Sequence, residues 1–244
     1  VNPMTTANAG PDVSICNGDC ADLTATGGTS YYWSNGETSA TINVCPSTTT
    51  TYIVTVTDAN GCTDIDDATV TVNPLPTADA GLDLAICDGD CATLTASGGI
   101  TYLWSNSATS DAINVCPAVT TTYMVTVTDL NGCTDSDEVS VTVNPLPTAD
   151  AGMDMALCLG NCTDLTATGG VNYIWSTGDT DATINVCPTN TTTYMVTVTD
   201  INGCTDSDDV AVTVNAVPIA DAGTDQTIPN GTSTSLDGTA TGGS

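Results

Sequence analysis

Short segments in which every second residue is apolar recur along the chain. Tyr52, Val54 and Val56 fall on one face of such a segment, and the threonines at 55 and 57 fall on the other. A period of two residues is typical of a β-strand with one buried face, and no segment shows the period of about 3.6 residues that marks an amphipathic helix. The pattern therefore predicts an all-β protein.

A hairpin turn follows this strand. The sequence Asp-x-Asn-Gly stands there as Asp58–Gly61, and it returns as Asp129–Gly132 and Asp200–Gly203. Asn and Gly tolerate the positive φ angles of tight turns, so the motif indicates a hairpin between antiparallel strands. Six or seven short strands in each 71 residues predict a β-sandwich.

The whole pattern occurs three times without an insertion. Cys16, Cys87 and Cys158 are each 71 residues apart, and Trp33 and Trp104 keep the same step. A step of this length is too long for a solenoid and predicts a string of small domains. The expected boundaries are complete repeats at 7–77, 78–148 and 149–219, the end of a preceding domain with its linker at 1–6, and the incomplete start of a fourth, cysteine-free repeat at 220–244.

The joint between repeats is short. Asn73-Pro74-Leu75-Pro76 contains two prolines, which make a stiff linker. Three sandwiches of ~35 Å each are therefore expected to form a rod of ~100 Å.

The charge of the chain excludes several classes of function. Its 244 residues include 29 acidic side chains and no Lys, Arg or His, so the net charge is −29. Without cationic side chains we expect no nucleic-acid partner and no binding to an anionic membrane. Catalysis that needs His or Lys is excluded, so the sequence predicts that the chain is not an enzyme. No apolar run is long enough for a membrane span in this segment.

Several segments resemble a known family. Ala78-Asp79-Ala80-Gly81, Tyr102-Leu103-Trp104-Ser105 and the run 122–134 are similar to the PKD-type, Ig-like repeats of giant secreted and cell-surface proteins of gliding, type IX-secreting bacteria. The resemblance implies tandem Ig-like (PKD-like) β-sandwich domains that serve as spacers or adhesive modules, with a PKD-like fourth repeat. Twelve cysteines agree with the extracellular location that it implies. Trp33-Ser34-Asn35-Gly36 departs from the family's Trp-Asp-Phe-Gly-Asp-Gly, so a function of that loop is not implied.

Each repeat carries four cysteines, for which three pairings exist. Cys45 and Cys62 flank a predicted strand that separates them by over ~20 Å, whereas a disulfide needs Cα atoms within ~7 Å. Two pairings remain open on this ground. Simpler members of the resembled family keep the first pair alone, which implies the following bonds. They are Cys16–Cys62, Cys20–Cys45, Cys87–Cys133, Cys91–Cys116, Cys158–Cys204 and Cys162–Cys187.

Two alternatives to this pairing stay open. Ordinary Ig topology would place Cys16 and Cys62 at opposite ends of the sandwich, and a bond from Cys133 to Cys16 or Cys20 of the preceding repeat would resolve that conflict. A zinc site built from the four cysteines is the second alternative. Their spacing does not match a zinc ribbon, and the composition indicates an oxidising setting.

Acidic residues concentrate around each Asp-x-Asn-Gly hairpin. Oxygen side chains that alternate along a turn suit Ca²⁺, so we expect a calcium site there, with a solvated acidic face as the alternative. The candidate ligands are Asp58, Asn60, Asp64 and Asp66, then Asp129, Asn131, Asp135 and Asp137, then Asp200, Asn202, Asp206 and Asp208.

An apolar pair is expected on the outer face of each repeat. If Trp33 points into the core, strand alternation turns its neighbour outward, and the same holds for the residue beside Val54. The predicted pairs are Tyr32 with Ile53, Leu103 with Met124, and Ile174 with Met195. They predict either a lateral contact or scattered surface side chains.

The sequence favours a structural role. The first hypothesis is a segment of a long extracellular filament, surface fibre or stalk of disulfide-stapled repeats. The alternatives are a cell-surface adhesin for carbohydrate or another cell, and a spacer in a large secreted enzyme. The expected partners are further copies of the same repeat, through self-association or a longer chain.

Overall fold

The computed structural model describes residues 6–241. Within that range it is all-β: it contains no helix, and hence none that is long and apolar enough to cross a membrane. The predicted fold class is therefore confirmed. Residues 1–5, which carry most of the expected end of a preceding domain, and 242–244 lie outside the described residues.

Each repeat has six strands, in the same order. In the first repeat they are β1 (Val13–Cys16), β2 (Ala21–Thr24), β3 (Ser30–Trp33), β4 (Thr41–Val44), β5 (Thr50–Thr57) and β6 (Thr63–Asn73). In the second they are β7 (Leu84–Cys87), β8 (Ala92–Thr95), β9 (Thr101–Trp104), β10 (Ala112–Val115), β11 (Thr121–Thr128) and β12 (Thr134–Asn144). In the third they are β13 (Met155–Cys158), β14 (Thr163–Thr166), β15 (Asn172–Trp175), β16 (Thr183–Val186), β17 (Thr192–Thr199) and β18 (Thr205–Asn215).

The strands form two sheets per repeat. In the first repeat the larger sheet has the order β1-β6-β5-β3, and the smaller one pairs β2 with β4. Strand β1 runs parallel to β6, whereas β5 runs antiparallel to both of its neighbours, β3 and β6. In an immunoglobulin sandwich strands C, F and G share one sheet and B and E lie in the other. Strands β3, β5 and β6 thus correspond to C, F and G, and β2 and β4 to B and E, so the repeat is Ig-like by its own topology.

The core lies between these sheets. Trp33, Val54 and Val56 are fully buried, as the alternating pattern predicts, and Leu23 faces them from the smaller sheet. The Trp33 indole N–H donates to the carbonyl of Ser39 at 3.0 Å, which satisfies its polar atom beside the core. Trp104 and Trp175 make the same bond at 3.0 Å in the later repeats.

The chain forms two compact units. One takes in the described residues up to Leu84 together with Cys91–Thr142, and the other consists of Ala85–Asp90 and the described residues from Val143 onward. The second unit ends in a two-stranded sheet of β19 (Ile219–Asp221) and β20 (Thr239–Thr241), whose residues are all exposed. A sheet of two strands is too small to bury an apolar face of its own.

Candidate functional site

The hairpin between the last two strands of each repeat holds a cysteine in a fixed position. In the second repeat the Asp129 carboxylate accepts hydrogen bonds from the backbone N–H groups of Asn131 and Cys133, both at 2.8 Å. The Asp129 N–H donates to the carbonyl of Cys133 at 2.9 Å, which closes the turn. The Asp-x-Asn-Gly motif therefore positions the cysteine that follows it.

The carboxylate of Asp129 is held in its charged form. Desolvation raises its pKa, but hydrogen bonds from the Cys133 and Asn131 backbone, the Asn131 side chain and the Gly132 backbone outweigh that effect, so its pKa lies below the ordinary value. The turn is thus held by charge-assisted bonds at neutral pH.

A second cysteine ends the edge strand of each repeat. Strand β1 pairs in parallel with β6, so Cys16 lies opposite Asn73 at the end of β6. Beyond the strand, the Asn17 N–H donates to the Asn73 carbonyl at 2.8 Å, and the Asp19 N–H donates to the Cys16 carbonyl at 2.9 Å. This tight turn fixes the strand-end cysteine.

These two cysteines form disulfides between repeats. Cys16 of the first repeat bonds to Cys133 of the second, with Cα atoms 5.5 Å apart. Cys87 of the second repeat bonds to Cys204 of the third, with Cα atoms 5.6 Å apart. Cys133 and Cys204 are each only 1% exposed. We call these two bonds the inter-repeat staples.

Three of the predicted disulfides are therefore wrong. The structure does not form Cys16–Cys62, Cys87–Cys133 or Cys158–Cys204. Parallel pairing of β1 with β6 explains the error. Cys16 lies beside the last residue of β6, whereas Cys62 precedes its first residue, and the strand is 11 residues long. At ~3.3 Å per residue the two cysteines are ~35 Å apart, far beyond disulfide range. The alternative bond from Cys133 to Cys16 is the one present.

The other predicted pairs occur within single repeats. Cys20 precedes β2 and Cys45 follows β4, and the antiparallel register of these strands brings the cysteines together. The bonds are Cys20–Cys45, Cys91–Cys116 and Cys162–Cys187, with Cα separations of 4.2, 4.2 and 4.1 Å. Each closes the small sheet of its repeat. With ten cysteines paired in disulfides, the four-cysteine zinc site is not formed.

Two predicted calcium ligands per repeat bind the protein's own backbone instead. Asp64 and Asp66 lie on the inner face of β6, where they are half-buried. The Asp64 carboxylate accepts the N–H of Ala7, and that of Asp66 accepts the N–H of Ala9, both at 2.8 Å. The same bonds join Asp135 to Ala78, Asp137 to Ala80, Asp206 to Ala149 and Asp208 to Ala151. These carboxylates hold the first segment of each repeat against its last strand.

Two of these carboxylates have a pKa below the ordinary value. Hydrogen bonds from the N–H groups of Ala80 and Glu138 lower the pKa of Asp137. Those from Ala149 and Ser207 lower the pKa of Asp206 in the same way. Backbone donors thus stabilise the charged carboxylate, in a chain that has no cationic side chain to do so.

The predicted calcium ligands do not converge. Asp58 accepts the N–H of Asn60 in its own turn at 2.8 Å, while Asp64 and Asp66 turn toward the start of the repeat. Across residues 6–241, no three acidic, cysteine or histidine side chains are grouped in a way that could hold a metal ion. The structure therefore does not gather the four predicted oxygen ligands of each repeat into one calcium site.

One set of structural aspartates was missed from the sequence. Asp12 accepts the N–H of Thr69 at 2.8 Å. Asp83 and Asp154 accept the N–H of Ser140 and Ala211 at 2.8 and 2.9 Å. The signal was present, because these aspartates also recur every 71 residues.

The predicted outward pairs lie on the outer face of the larger sheet. Tyr32 and Ile53 are 60% and 48% exposed. The equivalent Leu103, Met124, Ile174 and Met195 are exposed as well. Ile53 pairs with Asp67 on β6, and its equivalents Met124 and Met195 pair with Glu138 and Asp209. Tyr32 itself pairs with Thr55, so the two apolar side chains of each repeat lie diagonally on one face, with a carboxylate beside one of them.

Comparison with known proteins gives likeness of fold only. No protein-family model matches the chain, and no curated protein matches it. Among solved structures, an I-band fragment of titin is 13% identical with a TM-score of 0.40, over 84% of this chain and 96% of that one. A Ca²⁺-stabilized adhesin that helps an Antarctic bacterium reach out and bind ice is 17% identical with a TM-score of 0.38, over 91% of this chain and 77% of that one. Extracellular domains 3–5 of Drosophila OTK are 11% identical with a TM-score of 0.35, over 84% of this chain and 94% of that one. The Ig-like assignment itself rests on the strand order of the repeats.

Proposed function

We propose that this chain is a structural segment of an extracellular filament, surface fibre or stalk that carries tension along its length. The observation that carries the proposal is the interleaving of the two inter-repeat staples. One joins Cys16 to Cys133 and the other joins Cys87 to Cys204, so their spans overlap. Every peptide bond between Cys16 and Cys204 is bypassed by at least one disulfide.

This arrangement suits a protein under tension or protease attack. Force applied at the ends passes from Cys16 to Cys133, back along the main chain to Cys87 and across to Cys204. Less than half of the main chain lies on that path, so an unfolded repeat adds little length. A single backbone cut between the staples' outer ends leaves the two ends covalently joined.

The proposed setting follows from the same bonds. Five disulfides within residues 6–241 favour an oxidising, extracellular location. We take repeats 7–77, 78–148 and 149–219 as the proposed domains, of the PKD-type class that surface proteins of gliding bacteria contain. Catalysis is not part of this proposal, because the chain has no Lys or His for acid–base or covalent catalysis.

Electron microscopy of the native material tests the proposal. A filament whose subunits repeat at the spacing of Ig-like domains is the expected result. Isolated short particles joined to a larger globular body would instead favour a spacer in a secreted enzyme and would overturn the filament.

An adhesin is the second candidate, favoured by the exposed apolar patches. Leu103 and Met124 lie together on an outer sheet face with a carboxylate beside them, and the arrangement recurs in each repeat. A surface of this kind suits a cell-surface or carbohydrate partner. Replacing both residues by serine in all repeats should abolish cell binding by an adhesin and leave a purely structural filament unaffected.

A further inference from the structure

The outer face of the larger sheet has the same chemical pattern in all three repeats. Each repeat places an apolar residue on β3 or its equivalent, a second on β5 or its equivalent, and an acidic residue on β6 or its equivalent, opposite the second. The sets are Tyr32, Ile53 and Asp67, then Leu103, Met124 and Glu138, then Ile174, Met195 and Asp209. We call each set an outer patch. The residues differ between repeats, but each position keeps its chemical class on a face that otherwise consists mainly of Thr and Ser.

The two apolar side chains of a patch are close enough to be covered together. Leu103 pairs with Thr126, whereas Met124 pairs with Glu138, so Leu103 and Met124 are diagonal neighbours on the sheet. Diagonal neighbours on one face of a sheet are within reach of a single long side chain. Leu103 is 54% exposed and Met124 is 42% exposed, so the patch faces solvent.

The carboxylate of each patch differs from the structural aspartates of the repeat. Asp12 and Asp66 each accept a backbone N–H group at 2.8 Å, which attaches one segment of the repeat to another. Within residues 6–241, the carboxylates of the three patches accept no hydrogen bond, and all three side chains are exposed. They are Asp67, Glu138 and Asp209. The fold therefore leaves one charge beside each apolar pair without an internal partner.

We infer that the outer patches bind a basic protein, one that presents Lys or Arg beside apolar side chains. The chain has no cationic side chain, so the complement of the patch carboxylate has to come from another molecule. Lys and Arg can lay their apolar stems on a hydrophobic surface while their charged heads reach a neighbouring carboxylate. One such side chain satisfies both parts of a patch.

Charge and composition argue against two other occupants. A second copy of this chain brings a charge of −29 and places carboxylates against carboxylates. A sugar ring would need an aromatic side chain on which to stack, and Tyr32 is the only aromatic residue among the nine patch residues. A basic protein is attracted by the charge and covers the apolar pair.

The inference goes beyond the proposed filament, which needs no ligand on this face. It holds for a structural fibre and for an adhesin alike. Three patches on one chain also allow a partner with several basic sites to bind by multivalent contacts, so weak single contacts suffice.

Immobilised peptides provide the probe. A peptide of alternating Lys and Leu, coupled densely to a biosensor surface, presents both the charge and the apolar side chains. A Lys/Ser peptide keeps the charge alone, and a Glu/Leu peptide keeps the apolar side chains with the opposite charge. In about 0.1 M NaCl, where the Debye length is ~10 Å, the chain should bind the Lys/Leu surface at least about tenfold more tightly than either of the others.

A first pair of variants tests the apolar residues. Ile53→Ser/Met124→Ser/Met195→Ser removes one apolar side chain from every patch. The matched control removes three exposed apolar side chains elsewhere, Leu82→Ser/Leu130→Ser/Ile201→Ser, which are 88%, 85% and 87% exposed. The patch variant should bind the Lys/Leu surface about tenfold more weakly than the unchanged chain, because all three contacts are weakened together. The control should bind like the unchanged chain.

A second pair of variants tests the carboxylates. Asp67→Asn/Glu138→Gln/Asp209→Asn neutralises the patches. Asp19→Asn/Asp90→Asn/Asp181→Asn removes the same charge from exposed loops that precede strands of the smaller sheets. The patch variant should lose about tenfold in affinity, whereas the control should lose less than about twofold because only diffuse charge is removed. Melting curves verify that each variant folds, and the carboxylate variants test the inference even if the serine variants unfold.

Five results would overturn the inference. They are equal losses in the patch variants and their controls, equal binding of the Lys/Ser peptide, equal binding of the Glu/Leu peptide, self-association of the chain alone that depends on the patches, and patch-dependent binding to a neutral polysaccharide without binding to the Lys/Leu peptide. The fourth would make a second copy the occupant, and the fifth would make it a carbohydrate. None of the five would refute the filament, which electron microscopy tests separately, and the absence of a filament would not change the binding result.

Discussion

At the scale of the residue, aspartate carboxylates accept hydrogen bonds from backbone N–H groups that backbone carbonyls would accept in a regular sheet. Asp66 and Asp137 accept an N–H group from the first segment of their repeat, which also pairs through an isolated bridge with a residue just after β2 or β8. A single carboxylate therefore satisfies a backbone donor and attaches a segment. The negative charge that this strategy adds has no compensating cation in the chain.

Asp137→Asn should destabilise the second repeat in a pH-dependent way. The amide keeps the shape and one acceptor but loses the charge that the Ala80 and Glu138 N–H groups stabilise. Because the folded pKa of Asp137 is lowered, its contribution is present above the unfolded value of about 3.8 and is lost as the pH falls through the folded pKa. The variant should therefore melt at a lower temperature than the unchanged chain. This difference in melting midpoint should be largest above about pH 4 and should shrink as the pH falls below that value.

Glu138→Gln is the matched control for Asp137→Asn. It removes the same charge from the neighbouring position, where the side chain is exposed on the opposite face of β12. We expect its midpoint to equal or exceed that of the unchanged chain, since only repulsion is lost. Parallel behaviour of the two variants across the pH range would show that the Ala80 contact has no special role.

Gly98→Ala should strongly destabilise the second repeat. Gly98 has φ = 99°, and a Cβ there would overlap the carbonyl oxygen of Thr77. We expect a loss of about 2 kcal/mol or more in the free energy of unfolding, because both strain and a backbone clash are introduced. Gly89→Ala is the control, since Gly89 has φ = 90° but open space around its Cβ position, and it should lose only about 1–2 kcal/mol. Urea denaturation measures both, and equal losses would contradict the clash.

At the scale of the element, one parallel strand pair decides how repeats are joined. Strand β1 places Cys16 at the end of β6 that lies away from the hairpin of its own repeat. Only a hairpin from another repeat can then reach it. If β1 ran antiparallel to β6, Cys16 would lie at the opposite end of β6 and would face a different cysteine.

The double variant Cys16→Ser/Cys133→Ser should make the chain separable by a single cut. A recognition sequence for a site-specific protease, inserted before the exposed Asp79, places one cut in a region that only the Cys16–Cys133 staple bypasses. Without reduction, the unchanged chain should stay one species after this cut, whereas the double variant should fall into two. Non-reducing electrophoresis followed by mass spectrometry measures the result.

Cys91→Ser/Cys116→Ser provides the control for this cut. That bond closes the small sheet of the second repeat and does not span Asp79, so the cut chain should remain joined. Separation of this variant, or persistence of the Cys16/Cys133 variant as one species, would contradict the interleaved connectivity.

At the scale of the whole molecule, a charge of −29 without any cationic side chain makes stability depend on salt. Raising NaCl from about 0.1 to 1 M shortens the Debye length from ~10 to ~3 Å and should raise the melting midpoint. Because the hairpin carboxylates bind backbone N–H groups and do not converge, Ca²⁺ and Mg²⁺ at equal concentration should give the same midpoint. A higher midpoint in Ca²⁺ alone would restore the calcium site predicted from the sequence.

The local pattern by itself determined the strands and their faces. Alternation placed Trp33 and Val54 inside and Tyr32 and Ile53 outside, and Asp-x-Asn-Gly marked each hairpin. These features depend on neighbours a few residues apart, so the pleat of the strand and the φ preferences of the turn suffice to fix them. The pattern left the partner of Cys20 open; its bond to Cys45 was implied by the family resemblance, and the register of β2 on β4 is what brings the two cysteines together.

Only the tertiary structure decided the partners of the remaining cysteines and aspartates. Asp64 bonds to a backbone group 57 residues away, and Cys16 bonds to a cysteine 117 residues away. The period of the sequence does not give either of these sequence separations. Each depends on which strands are neighbours in the sheet and on whether they run parallel or antiparallel. Cys62 and Cys133 both lie in the sequence Asn-Gly-Cys-Thr-Asp, which could not distinguish a bond within a repeat from one between repeats. That choice was made by the parallel register of β1 on β6, which carries the strand-end cysteine ~35 Å from the hairpin of its own repeat.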